Sequence, residues 1–122
     1  MNFRWVTTLA GLVSLPFGLG FLLAPELAGS IYGVSQWSPG TVAVGRLYGA
    51  TFLFLAVLSF AVRNFSDPDA QKTLGLAFFV NCLVAGGLCA VAAITGAMNP
   101  LIWSGVAIYV FFAVAWARLM RA

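Results

Sequence analysis

Histidine is absent from this 122-residue chain, and charge is nearly so: six Lys or Arg and three Asp or Glu. Each shortage excludes a class of chemistry. Without histidine the chain lacks the commonest general base, the usual haem axial ligand and the usual zinc ligand. The two cysteines, Cys82 and Cys89, cannot complete a tetrahedral metal site alone. Seven helical residues separate their Cα atoms by about 10.5 Å, beyond the ~7 Å that a disulfide spans. There is no C-x-x-C pair, no G-x-x-x-x-G-K-[ST] loop and no nucleophilic triad pattern. We therefore expect no metal, no cofactor, no catalytic residue and no enzymatic activity. Charged residues make up 7% of the chain, against about 25% in soluble domains. Nine charges cannot cover a water-soluble surface of this size, so an ordinary soluble domain, a disordered tail and a disulfide-framed module are all excluded.

What the chain has in abundance is apolar sequence, 62% of all residues. A spanning helix needs about 20 mostly apolar residues. Trp5 to Ala24 is one such run, and Leu47 to Val62 is uncharged between Arg46 and Arg63. Thr73 to Ala117 is uncharged for 45 residues, about two spans, and breaks at Gly96-Ala97-Met98-Asn99-Pro100. Proline favours the first helical position after a capping side chain, and Ser38-Pro39, Asp67-Pro68 and Asn99-Pro100 fit that pattern. The spans are predicted near 4–24, 39–63, 68–96 and 100–121. Pro25 to Tyr32 is predicted as a short helix lying at the membrane interface, closed by Gly33. The expected fold is all-α: a single domain over 1–122, an antiparallel four-helix transmembrane bundle with that short interfacial helix between helices 1 and 2.

Charge placement gives an independent expectation. Arg4, Arg63, Lys72, Arg118 and Arg121 fall on one side of a four-span chain, and the opposite loops carry only Glu26. Cytoplasmic loops collect Lys and Arg, so both termini are expected in the cytoplasm and the protein in the inner (plasma) membrane. The cations are scattered singly at the ends of apolar runs, which fits topology and excludes nucleic acid as a partner. Trp37 and Tyr32 on one side, and Trp5 and Trp116 on the other, occupy the expected aromatic belts. The first run resembles a signal peptide but is longer than the usual apolar core of one, so it is read as a retained span.

Helix association in lipid depends on close packing through small residues. Stripes at helical spacing are Thr7, Gly11, Ser14, Gly18 and Phe21 in the first span, and Gly45, Gly49, Phe52, Ala56 and Ser59 in the second. The third carries Gly75, Phe79, Cys82, Gly86, Cys89, Ala93 and Gly96; the fourth carries Gly105, Ile108, Phe112 and Ala115. The cysteines read as small packing residues. Pro16 removes one backbone bond in the first span and is read as a bend, or as an opening that exposes carbonyls to a ligand.

Few residues are left to carry function. Arg46 lies seven residues beyond Pro39, about 10 Å into the helix. It is read either as snorkelling or paired with Glu26, or as a clamp for an anionic head group of a phospholipid or quinone-like ligand, with Tyr48 and Gly45 beside it. Asn81 needs a partner at mid-depth, and Ser14 is placed to supply one. Thr51, Ser59, Thr95 and Ser104 are expected to bond their own helix backbones. Asp67 and Asp69 are assigned to the start of the third span. No carboxylate lies within a span, against proton-coupled or cation-coupled antiport.

Three segments carry a family likeness: Ala24-Pro25-Glu26-Leu27 leading to Ile31-Tyr32-Gly33; Gly45-Arg46-Leu47-Tyr48-Gly49-Ala50; and the aromatic last helix, Trp103 to Trp116. Through them the chain resembles the small four-span bacterial membrane proteins of the DoxX-like group. More faintly it resembles the four-span scaffold proteins of sterol synthesis, which also carry a Gly-Arg-Leu step. The resemblance implies a four-helix bundle that tethers partners, and it brings no catalytic residue. Two roles are expected. One is a non-catalytic accessory or assembly subunit, packing against another membrane protein or against itself as a homo-oligomer among membrane lipids. The other is a binder or carrier of a lipid-like or quinone-like molecule. A dry, closed bundle would favour the first, an open cavity beside Arg46 the second, with Arg46, Tyr48, Glu26 and Asn81 as the ligand-binding candidates.

Overall fold

The computed structural model describes residues 2–121. Among them the chain forms five α-helices: α1 (Phe3–Leu23), α2 (Pro25–Ile31), α3 (Pro39–Val62), α4 (Pro68–Ile94) and α5 (Ile102–Arg121). All but α2 are long and apolar enough to cross a membrane. This is a multi-pass membrane protein.

The helix starts follow from side-chain chemistry. Asn2 accepts from the Trp5 N–H at 3.0 Å and caps α1, one residue earlier than the span predicted from apolarity. Ser38 accepts from the Thr41 N–H and Asp67 from the Asp69 N–H, each ahead of a proline in the first turn. The start of α5 differs from expectation. Asn99 accepts from the Leu101 N–H, but Asn99 to Leu101 wind as a tighter turn in which the Ile102, Trp103 and Ser104 N–H groups each reach back three residues. Regular helix begins only at Ile102. Gly33 and Gly96, at φ 85° and 75°, take the left-handed backbone just past the C-caps of α2 and α4.

The long helices form two antiparallel hairpins. α1 packs along α3, and α4 packs along α5. Glycine brings the first pair into backbone contact: a Cβ on Gly49 would collide with the backbone of Phe21, Leu22 and Gly18, and one on Gly18 would stand 2.8 Å from Leu53 N. In the second pair Gly86 lies under Tyr109, and Gly75 under Met120. The stripes read from the sequence lie on the packed faces, with two corrections in α4: Phe78 rather than Phe79 fills its step, and Gly96 is exposed in the turn beyond the helix. Pro16 is exposed within an unbroken α1.

The hairpins meet chiefly along α1 and α5 and at their two ends. α1 touches α5 along a slight seam. At one end Trp116 stacks on Phe78 of α4 (centroids 4.8 Å apart, planes at 7°) and meets the edge of Phe3 of α1 at 5.9 Å. Trp116 is 1% exposed, which corrects its assignment to the aromatic belt. A ring pinned by Phe3 and Phe78 contributes more to packing than at an interface, and Trp5, 62% exposed, holds the belt position instead. At the other end Asn99 is the latch: its N–H donates to Tyr32 O at 2.8 Å and its amide donates to Ile31 O at 2.9 Å. The antiparallel arrangement gathers Arg4, Arg63, Lys72, Arg118 and Arg121 at the Trp116 end, and Glu26 at the latch end.

A candidate ligand slot between the hairpins

Between its two closures the boundary of the hairpins is not filled. A cavity of about 270 Å³ runs between them, lined by all four long helices. On α4 the lining extends from Phe78 to Ala92 and on α5 from Ile102 to Trp116, about 21 Å in each case at 1.5 Å per residue. The space is therefore an elongated slot, more than half as long as the ~30 Å hydrocarbon layer. Its volume is nearly twice that of a ~150 Å³ cavity known to take benzene.

The slot opens sideways. α3 and α4 follow one another in sequence but do not pack along their lengths. Two lining residues, Leu88 of α4 (65% exposed) and Tyr48 of α3 (43% exposed), stand open to the outside. They mark a mouth between α3 and α4, facing what would be lipid. Phe21 and Phe52 hold the Tyr48 ring edge-on at 5.0 and 4.7 Å, and the Tyr48 phenol closely approaches that of Tyr109 across the slot.

Every lining side chain is uncharged. The polar groups are few: Ser59 near the basic end of α3, Ser14 and Asn81 midway along α1 and α4, and Tyr48, Tyr109 and Tyr32 toward the latch. Burial, then the nearby Cys89 thiol, raises the Tyr32 phenol above its ordinary value, so this group too stays neutral. Cys82 and Cys89 are free thiols in the wall, and no group of three metal-ligating side chains occurs among the described residues.

Ser59 is the anomaly. Hydroxyls in lipid-spanning helices usually satisfy themselves on the carbonyl one turn back. Thr7, Thr51, Thr73 and Thr95 do so, and Ser104 bonds Leu101 O. Ser59 was expected to follow them and does not: its residue is 0% exposed, and its Oγ is buried without any hydrogen-bond partner. A buried hydroxyl without a partner costs about 1–3 kcal/mol, and this one stands in the wall of a cavity.

The sequence-derived candidates divide. Tyr48 and Asn81 line the slot; Arg46 and Glu26 do not. Arg46 precedes Tyr48 by two residues, which is 200° around the helix, so the two cannot grip one ligand. Arg46 and Glu26 are both exposed, and no ion pair joins them among the described residues. Gly45 faces Pro25 of α2 instead of the slot. Asn81 and Ser14 share the slot without a hydrogen bond between them among the described residues, which leaves the Asn81 amide open. Sequence reasoning missed Tyr109, a lone phenol in the middle of an apolar helix, and dismissed Ser59. The first was visible as a polar atom needing a partner at depth. The second was not, because only coordinates tell whether a helical serine bonds its own backbone.

Comparison with protein-family models, with curated proteins and with solved structures finds no match to this chain.

Proposed function

We propose that this membrane protein binds a neutral, elongated, lipid-like or quinone-like molecule between its two hairpins, without transforming it. The observation that carries this function is Ser59 Oγ, fully buried and unpartnered in the wall of an uncharged apolar slot. A ligand oxygen would meet that hydroxyl once the wall over the fully buried Ser59 gives way, and the bond would remove the cost of leaving it unpaired. The open Asn81 amide and the Tyr48 and Tyr109 phenols offer further hydrogen bonds along the same wall. Neutrality follows from the lining, since a charged group placed there would lack any counter-charge. The mouth between α3 and α4 gives an apolar molecule a path from the bilayer that never passes through water. The anionic-head reading of Arg46 is set aside here, because its side chain is outside the slot.

The test uses the purified protein in nanodiscs and a brominated long-chain alcohol, a neutral probe whose bromine quenches nearby tryptophan. Trp116 lines the slot, so quenching should saturate in the wild type. It should weaken at least several-fold in Ala85→Phe, which fills the slot from α4. Quenching that rises linearly in both proteins, as from bulk lipid alone, would overturn the proposal and return preference to an accessory subunit that packs through its outer faces.

A further inference from the structure

A second recess, of about 640 Å³, lies at the basic end, apart from the slot. Three separate elements bring cations to it: Arg4 from the first turn of α1, Arg63 from the C-cap of α3, and Lys72 from the second turn of α4. No Asp or Glu lines it, although Asp67 and Asp69 stand in the adjoining turn. Asp67 is committed elsewhere, capping α4 through the Asp69 N–H. Two of the neutral side chains have partners within the chain. Asn2 Oδ1 takes the Trp5 N–H, and the Gln71 amide donates to Phe65 O. Every charged side chain that lines the recess is a cation.

The general bias of cations toward one end of a membrane protein explains their presence here, but not this convergence. Arg118 and Arg121 belong to the same end and stay outside the recess. Three cations around one space repel each other unless an anion sits among them, and guanidinium forks match phosphate oxygens closely. Phe3, Phe65 and Leu119 form the apolar part of the wall, at the level where the spans leave hydrocarbon. A phosphate on a glycerol backbone would meet charge above and apolar side chains below.

We propose that Arg4, Arg63 and Lys72 form a binding site for a phosphate group, that of an anionic phospholipid in the leaflet at this end. The site is independent of the slot, whose lining carries no charge and shares none of these residues.

The experiment places the full chain in phosphatidylcholine nanodiscs containing a minor fraction of phosphatidylglycerol and counts retained lipid by native mass spectrometry. The wild type should keep phosphatidylglycerol above its share. Removing one cation should weaken retention about five-fold in Arg63→Gln and in Lys72→Gln, while Arg118→Gln should leave it unchanged. Lys72 is exposed on α4, so its variant keeps the fold even where Arg63→Gln does not, and Lys72→Gln alone then decides the matter. A second arm adds inorganic phosphate to pure phosphatidylcholine nanodiscs and reads the melting temperature, with no shift expected. A shift that Lys72→Gln abolishes would assign the recess to a soluble phosphate and overturn the lipid source. Equal losses in Arg118→Gln, or no enrichment in the wild type, would overturn the site itself.

Discussion

The seam between α1 and α3 and the boundary between the two hairpins use opposite packing. In the seam, Gly18 and Gly49 press backbone on backbone, with no space for even a methyl group. At the boundary the helices meet at the Trp116 cluster, the Asn99 latch, the Tyr48–Tyr109 pair and a slight α1–α5 seam, with a slot between. Both lie in the same apolar surroundings, so hydrophobicity does not separate them. What differs is the size of the residue at each contact step: glycine draws helices together, whereas Phe, Tyr and Trp hold them apart and leave space where their rings do not fill it. A bundle meant only to pack would repeat the first pattern throughout.

Four substitutions sharpen that contrast, read by reversible unfolding in mixed micelles. Trp116→Ala removes the closure at the basic end and should cost about 3–5 kcal/mol, with both hairpins keeping their helicity. Gly49→Val strikes the other kind of contact. Its side chain has no place against Phe21 and Leu22, and the overpacking should cost about 1–3 kcal/mol or more. A harmless Gly49→Val would contradict the backbone contact between α1 and α3. Asn99→Ala removes the latch to Ile31 O and the bond from the Leu101 N–H. At about 1 kcal/mol per bond it should cost roughly 2 kcal/mol, and amide exchange should quicken at Gly33 and Leu101 before it does in α1. Ser59→Ala is the smallest change and has the opposite sign. Without ligand, deleting an unpartnered hydroxyl should be neutral or stabilising by up to about 1 kcal/mol, and with ligand it should weaken binding.

Much of this architecture could be read from the residues alone. The Pro-marked helix starts at Pro39 and Pro68, the turn at Gly33, the short α2 and the small-residue faces of α1 and α3 all lie where composition and spacing place them. Those features are local, set by caps, φ angles and helical periodicity. The site was less legible because it depends on how two hairpins sit against each other, and no periodicity within one helix encodes that. Arg46 drew attention as a charge in an apolar run, yet a two-residue offset turns it away from Tyr48. Trp116 reads as a belt residue by position and becomes core only because Phe3 and Phe78 converge on it. Ser59 had the composition of a packing residue, and the missing bond to its own helix is what distinguishes it.

The most direct test of the central claim is native mass spectrometry of the wild type and Ala85→Phe released from the same nanodiscs. A neutral apolar species held one per chain by the wild type, and missing from an Ala85→Phe protein of equal or higher melting temperature, is the expected result. A wild type that carries no such species, together with a variant stabilised by filling an empty space, would contradict it.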